Sequence, residues 1–190
     1  MMEQCPDLKT LGQKLTQNLA RLIGDDPGRE GLGDTPRRLA QSWEHLFGGY
    51  KLDPEKVLSS TFNGEGYDEL IVLRDIEFYS TCEHHFLPFF GVAHVGYIPN
   101  QRVVGLSKLA RLVDLHARRL QNQERLTFSV ATDLSRILGC KGVGVVVEAS
   151  HLCMRARGVE KQNSMMTTST LLGVLREAEG RSEFLKLIGK

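Results

Sequence analysis

Cys82-Glu83-His84-His85 sets a thiol, a carboxyl and two imidazoles side by side in the chain. Cys82 and His85 are separated by two residues, so a single turn can aim a thiolate and an imidazole at one ion, a spacing that suits zinc. Such a pair alone also occurs in structural zinc sites, in redox motifs and by chance. Further along, His151 and Cys153 follow the apolar run of residues 143–147, which reads as a buried strand. An i,i+2 pair on a strand faces one way, so His151 and Cys153 are expected on one face. If the two segments meet, Cys82, His85 and Cys153 supply three ligands, and His84 and His151 are left over. Three protein ligands with an open position describe a catalytic zinc, since a closed structural site needs a fourth.

A second group is basic. Ser107, Lys108 and Arg111 fall at a helix start, where free backbone N–H groups and the helix dipole favour an anion, and Lys108 and Arg111 are i,i+3 neighbours. Alone, they could equally be a solvated helix face. Arg155 and Arg157 continue the i,i+2 phase of His151 and Cys153, which would bring guanidinium groups to the same place. Glu124 has two readings: a carboxylate that complements a helix N-terminus, or an acceptor for paired N–H donors such as a guanine edge. His94 and His116 look ordinary, and Cys5 and Cys140 have no partner at ligand spacing.

The elements that must position these groups follow from periodicity. Leu8, Leu11, Leu15, Leu19 and Leu22 recur at helical spacing and predict an amphipathic helix over 8–23, whose stripe something must cover. Thr35-Pro36 predicts an N-cap and a first helical proline for a second helix to about Leu46, and residues 53–58 a short third. Strands are expected over 70–79, leading into the Cys82 loop, then over 89–98, 102–104, 143–149 and near 171–175. Helices are expected from 105 to about 120, over 124–138 and over 182–188. This order predicts an α+β fold, an antiparallel sheet with helices on one face. The domain division expected is a helical arm over 1–60 and a catalytic domain over 61–190.

The formal charge of +1 over 190 residues lacks the basic excess of a general nucleic-acid binder. Four irregularly spaced cysteines among histidines point to metal chemistry in a reducing compartment, not to a disulfide framework. No apolar run is long enough to span a bilayer and the N-terminus is no signal peptide, so a cytoplasmic protein without membrane contact is expected.

Four segments together resemble GTP cyclohydrolase I: Cys82 to His85, Gly105 to Arg111, Gln121 to Thr127, and His151 to Met154 with Arg157-Gly158-Val159. Residues 26–38 are similar to that family's helical arm. Phe86, Val92 and Cys140 depart from its commonest residues, and none of these removes a ligand or proton donor. The resemblance implies a tunnelling fold whose subunit sheets join into a ring, usually a decamer of two pentamers, with active sites at subunit boundaries. It implies conversion of GTP and water to formate and 7,8-dihydroneopterin triphosphate, at the entry to folate or related pterins. It further implies that Cys82, His85 and Cys153 hold Zn2+ and that His84 and His151 transfer protons. Glu124 would anchor guanine, and Ser107, Lys108, Arg111 and Arg157 would hold the triphosphate, with Arg38 a further candidate from a neighbouring subunit. Glu124 and the triphosphate cations should then not all belong to the chain supplying the metal ligands, and a boundary that takes its zinc and its guanine anchor from different chains is expected. A non-catalytic protein that binds zinc and nucleotide to regulate a partner is the other class considered.

Overall fold

The computed structural model describes residues 6–190, so Cys5 and the N-terminal residues before Pro6 lie outside it. The chain forms two compact units, Met1–Gly48 and Gly49–Lys190.

The first unit is a helix pair. Helix α1 (Leu8–Ile23) starts at Asp7, whose carboxylate accepts the Thr10 N–H, and stops at Gly24 in the left-handed region. Helix α2 (Thr35–Leu46) begins one residue before the expected start: its N-cap is Asp34, not Thr35, and Asp34 makes no side-chain cap bond. Asp34 instead pairs with Arg37 at 2.9 Å, and Pro36, with no N–H, removes one of the first-turn donors that would need a cap. The face that α1 turns to α2 is made of Gly12, Thr16 and Ala20. A Cβ at Gly12 would stand 2.7 Å from Pro36 O, so glycine is what allows the two backbones this close. The leucine stripe therefore points away from this contact, and Leu11, Leu15, Leu19 and Leu22 remain exposed.

The second unit opens with α3 (Pro54–Val57), capped by Asp53. A five-stranded sheet follows in the order β5-β2-β3-β6-β7. Its strands are β2 (Ile71–Cys82), β3 (Pro88–Ile98), β5 (Leu120–Gln121), β6 (Gly142–His151) and β7 (Met166–Gly173). All neighbours are antiparallel except the short β2–β5 pair. Strand β1 (Thr61–Asn63) pairs with β4 (Arg102–Val104) in a separate ribbon. Helices α4 (Leu106–Ala117) and α5 (Gln123–Leu138) cover one face. Between helices and sheet, Phe89, Val95, Tyr97, Leu109, Leu112, Leu126, Leu134, Val143 and Val145 are fully buried. Each such side chain contributes about 1.5–3 kcal/mol of transfer free energy. On the opposite face α7 (Ala178–Leu187) closes the far end of the sheet through Phe184, whose ring fills the space left by Gly96 and Gly144. The arrangement is the α+β one expected, an almost wholly antiparallel sheet with helices α4 and α5 on one face.

Two expectations fail locally. The last strand is Met166–Gly173, so it starts five residues before the expected 171–175 and gives way to a 3-10 turn over Val174–Arg176 where the strand was expected to continue. Strand β6 ends at His151, and α6 (Leu152–Arg155) takes over. Strand alternation therefore does not relate His151, Cys153, Arg155 and Arg157.

Candidate metal centre and its surroundings

The β2–β3 connection is a tight turn held by its own backbone. Cys82 N–H donates to Leu87 O at 2.8 Å, and Phe86 N–H donates to Cys82 O at 2.8 Å, with Phe86 at φ 56°. The turn brings Cys82 and His85 to the same side, as their spacing predicts. Cys153 arrives from the first turn of α6, not along a strand. The ligand atoms of Cys82, His85 and Cys153 all lie within 4.8 Å of one another. Cys82 is buried, Cys153 half-buried and His85 exposed, so the cluster opens on one side only.

The donor set fits a metal ion. Burial pushes the Cys153 thiol up, and the adjacent Cys82 sulfur pushes it further, with Arg157 opposing. Two sulfurs crowded in this way ionise together only if a cation lies between them, which a divalent ion supplies. Cys82 Sγ lies 3.7 Å from His85 Nδ1 and 3.9 Å from His84 Nδ1. Arg157 Nη1 is 3.0 Å from His85 Nε2, so the guanidinium sits at the metal cluster. Arg155 turns elsewhere, its Nη2 donating to Ser164 O at 3.4 Å.

His84 is exposed beside the cluster, its Nε2 3.8 Å from Glu83. His151 lies at the end of β6 with its ring stacked on Phe89, centroids 4.7 Å apart and planes within 1°. Burial lowers the pKa of His151, and the nearby charge of Glu124 partly offsets this. Gln123, the residue before Glu124, reaches His151 with its side chain, which sets Glu124 near His151 in the same chain. It sits in the first turn of α5, which Asn122 caps by accepting the Arg125 N–H.

Sequence reasoning assigned no role to Glu83 or Gln123. The Glu83 carboxylate accepts from Asn122 Nδ2 at 2.8 Å and forms a close ion pair with Arg125. Arg125 Nε in turn donates to Gln121 Oε1 at 2.5 Å. These bonds, Asn122 first, hold the Glu83 carboxyl below the usual range. They also tie the Cys82 turn to the start of α5, so the cluster and Glu124 are set on one frame. Gln123 is buried, and its Oε1 lies 2.8 Å from His151 Nε2.

The basic group is elsewhere. Ser107 and Arg111 are exposed and Lys108 half-buried, at the start of α4. That start lies near Ile71 and Tyr97, which line one hollow with Val104 and Leu106. The other end of α4 lies at the metal end of β2, where Ser80 Oγ donates to Ala117 O at 2.7 Å. Ser107, Lys108 and Arg111 stand ten, nine and six residues before Ala117, so about 9–15 Å of helix axis at 1.5 Å per residue separates them from the metal end of β2 within one chain. Arg38, in the first unit, is exposed with its guanidinium 3.7 Å from Asp34.

Fold and site together define a tunnelling-fold enzyme with a candidate metal centre at one end of its sheet. The GTP cyclohydrolase I family profile matches residues 12–189. The chain is 51% identical over 180 residues to GTP cyclohydrolase 1 of Wolinella succinogenes, covering 94% of this chain and 96% of the relative. A Porphyromonas gingivalis GTP cyclohydrolase 1 is 52% identical over 180 residues, covering 93% of each chain. A Pseudomonas putida relative named GTP cyclohydrolase 1 2 is 54% identical over 169 residues, or 88% of this chain and 91% of the relative. The chain belongs to the GTP cyclohydrolase I family, and it is a hydrolase of that type.

Proposed function

We propose that the protein converts GTP and water to formate and 7,8-dihydroneopterin triphosphate, with zinc held by Cys82, His85 and Cys153. The observation that carries this reading is the convergence of two cysteines and one histidine beside His84, His151 and Glu124 in a member of this family. Two sulfurs and an imidazole suit zinc, and three ligands leave a position open. When bound, zinc would make a nucleophile available at neutral pH by lowering the pKa of its water to about 7.

The chain's own residues do the rest. The Glu124 carboxylate accepts two N–H groups from the guanine edge and so fixes the purine with C8 toward the cluster. His84, exposed next to the ligands, donates a proton to N7 as C8 is attacked. C8 leaves as formate after a second hydration. His151 then protonates the ribose ring oxygen for ring opening, ahead of rearrangement and closure to the pterin. Binding energy from the distant triphosphate is used to hold the purine in place at the reacting centre.

Ser107, Lys108 and Arg111 hold that triphosphate, and they come from a second copy of the chain. Their place toward the end of α4 away from the metal end of β2 supports this. Glu124, by contrast, is assigned to the chain that carries the ligands, because its charge acts on His151 there. This reading differs from the expectation that zinc and guanine anchor come from different chains. Arg157 and Arg38 complete the phosphate contacts, Arg157 by swinging from His85. The uncovered leucine stripe of α1 and the open outer edges of β2 and β7 support assembly into a ring, for which a decamer is proposed. Among the described residues no helix is long and apolar enough to cross a membrane, and the free thiols of Cys82, Cys140 and Cys153 suit the reducing cytoplasm.

Substrate choice tests the reading. Glu124→Gln presents a donor to a donor edge and should lower kcat/KM for GTP by roughly a hundredfold or more, since unpaired buried polar groups discriminate by 10⁴ or more at best. ATP should be a poor substrate for the unaltered protein. Comparable turnover of ATP and GTP would overturn the role given to Glu124.

A further inference from the structure

Gln123 is the first residue of α5, is 1% exposed, and has a side-chain amide whose orientation is fixed by what surrounds it. Its Nε2 donates to Val147 O at 3.0 Å and to Met166 O at 2.9 Å, and lies 3.1 Å from Thr168 Oγ1. Backbone carbonyls only accept, so turning the amide over would set its oxygen against two carbonyl oxygens. The hydroxyls agree with this assignment. Thr127 Oγ1 donates to Gln123 O at 2.7 Å, so it must accept from Thr168 Oγ1 at 2.6 Å. Thr168 then has only lone pairs to offer the Gln123 amide. The two amide hydrogens thus face three acceptors, and all three fix the nitrogen, not the oxygen, on that side.

The consequence falls on His151. Gln123 Oε1 only accepts, and His151 Nε2 lies 2.8 Å from it, so Nε2 must carry a hydrogen in the neutral ring as well as in the charged one. Phe89, parallel to the ring at 4.7 Å, prevents the imidazole from turning to exchange its nitrogens. Among the described residues Nδ1 has no hydrogen-bond partner, and it is not among the sealed, unpartnered atoms. It is the nitrogen left to meet a substrate.

We propose that Gln123 is a positioning residue that holds His151 in its Nε2–H tautomer and thereby makes Nδ1 the atom through which His151 takes and gives a proton. This rests on the reading that His151 moves a proton in the reaction above. Gln123 itself touches no substrate. It acts only through the ring it orients, which is why its effect should fall on turnover and not on binding.

The test is ¹⁵N magic-angle-spinning NMR of histidine-labelled protein, before and after zinc loading, with the His151 signals assigned by their loss in His151→Asn. In the unaltered protein His151 should show one tautomer, protonated at Nε2 and bare at Nδ1. Gln123→Met keeps the volume and removes both polar ends, and should give a mixture of tautomers. The same variant should lose roughly tenfold to a hundredfold in kcat, as outer partners of site histidines do, with KM for GTP little changed. Thr168→Val leaves the two carbonyls facing the amide and should keep the single tautomer. An Nδ1–H ring in the unaltered protein would overturn the proposal, and needs no variant to fold. So would a Gln123→Met protein whose His151 stays wholly Nε2–H, or one whose tautomers mix while kcat is unmoved. If the unaltered protein released no formate at all, the assigned reaction would fail; the NMR result would still decide whether Gln123 sets the tautomer.

Discussion

Cys82→Ser and Cys153→Ser should each lose the bound metal and at least about three orders of magnitude in turnover, equivalent to about 4 kcal/mol of transition-state stabilisation. A serine hydroxyl is harder and far less acidic than a thiol, so two donors and a poor third remain where three are needed. The thiols also differ in setting. Cys82 is buried at the end of β2, whereas Cys153 is half-buried on α6, so Cys82→Ser should perturb the turn more. His84→Ser separates metal from chemistry: it is exposed beside the ligand set and outside the three-residue cluster, so metal should stay while turnover falls. Metal content measured on the purified variants decides between these roles. Stoichiometric zinc with full activity in either cysteine variant would refute the three-ligand site. Loss of metal from His84→Ser with retention in His85→Ser would exchange the two histidines.

The second large effect is recovery of activity between inactive chains. Oligomers of Cys82→Ser lack the metal, and oligomers of Lys108→Ala/Arg111→Ala lack the phosphate grip. After dissociation and joint reassembly, some boundaries receive intact ligands from one chain and intact cations from its neighbour. Random mixing in equal amounts gives about a quarter of such boundaries in a head-to-tail ring, so turnover should rise from near zero to a readily measured fraction. The control is Cys82→Ser mixed with Glu124→Ala. Glu124 lies beside His151 on the ligand-bearing chain, so this pair should recover nothing. Recovery with Glu124→Ala, or none with the cation variant in confirmed mixed oligomers, would contradict the division of the site between chains.

The legible parts of this fold were those whose signals are local. Helix α1 has the predicted bounds because leucine spacing and Gly24 mark it, and Gly139 at φ 60° ends α5 as a glycine after a helical pattern should. The metal turn was legible too, because two residues between Cys82 and His85 leave few ways to place their side chains. Strands β1 and β5 were not: β5 has two residues, too few to show alternation, and β1 carries one apolar residue, Phe62, between Thr61 and Asn63, unlike the equally short β4 with Val103-Val104. Cys153 was placed at the cluster through an incorrect element: alternation was carried past His151, where α6 interrupts it. The right ligand survived because a helical turn also brings Cys153 back toward the end of the sheet. Which face of α1 meets α2 was misleading for a different reason. The leucines dominate the pattern, but small residues allow the closer approach. Glu83 and Gln123 escaped because their bonds span 39 and 28 residues, and no sequence period encodes such distances.

The central claim is that the protein opens the purine ring of GTP at the candidate metal centre, and the most direct measurement is product stoichiometry. Zinc-loaded protein incubated with GTP should release formate and, after oxidation, an equal amount of a fluorescent pterin, with both lost on chelation. Tight binding of GTP with zinc present and neither product formed would contradict the account, and would fit a protein that binds the nucleotide without turning it over.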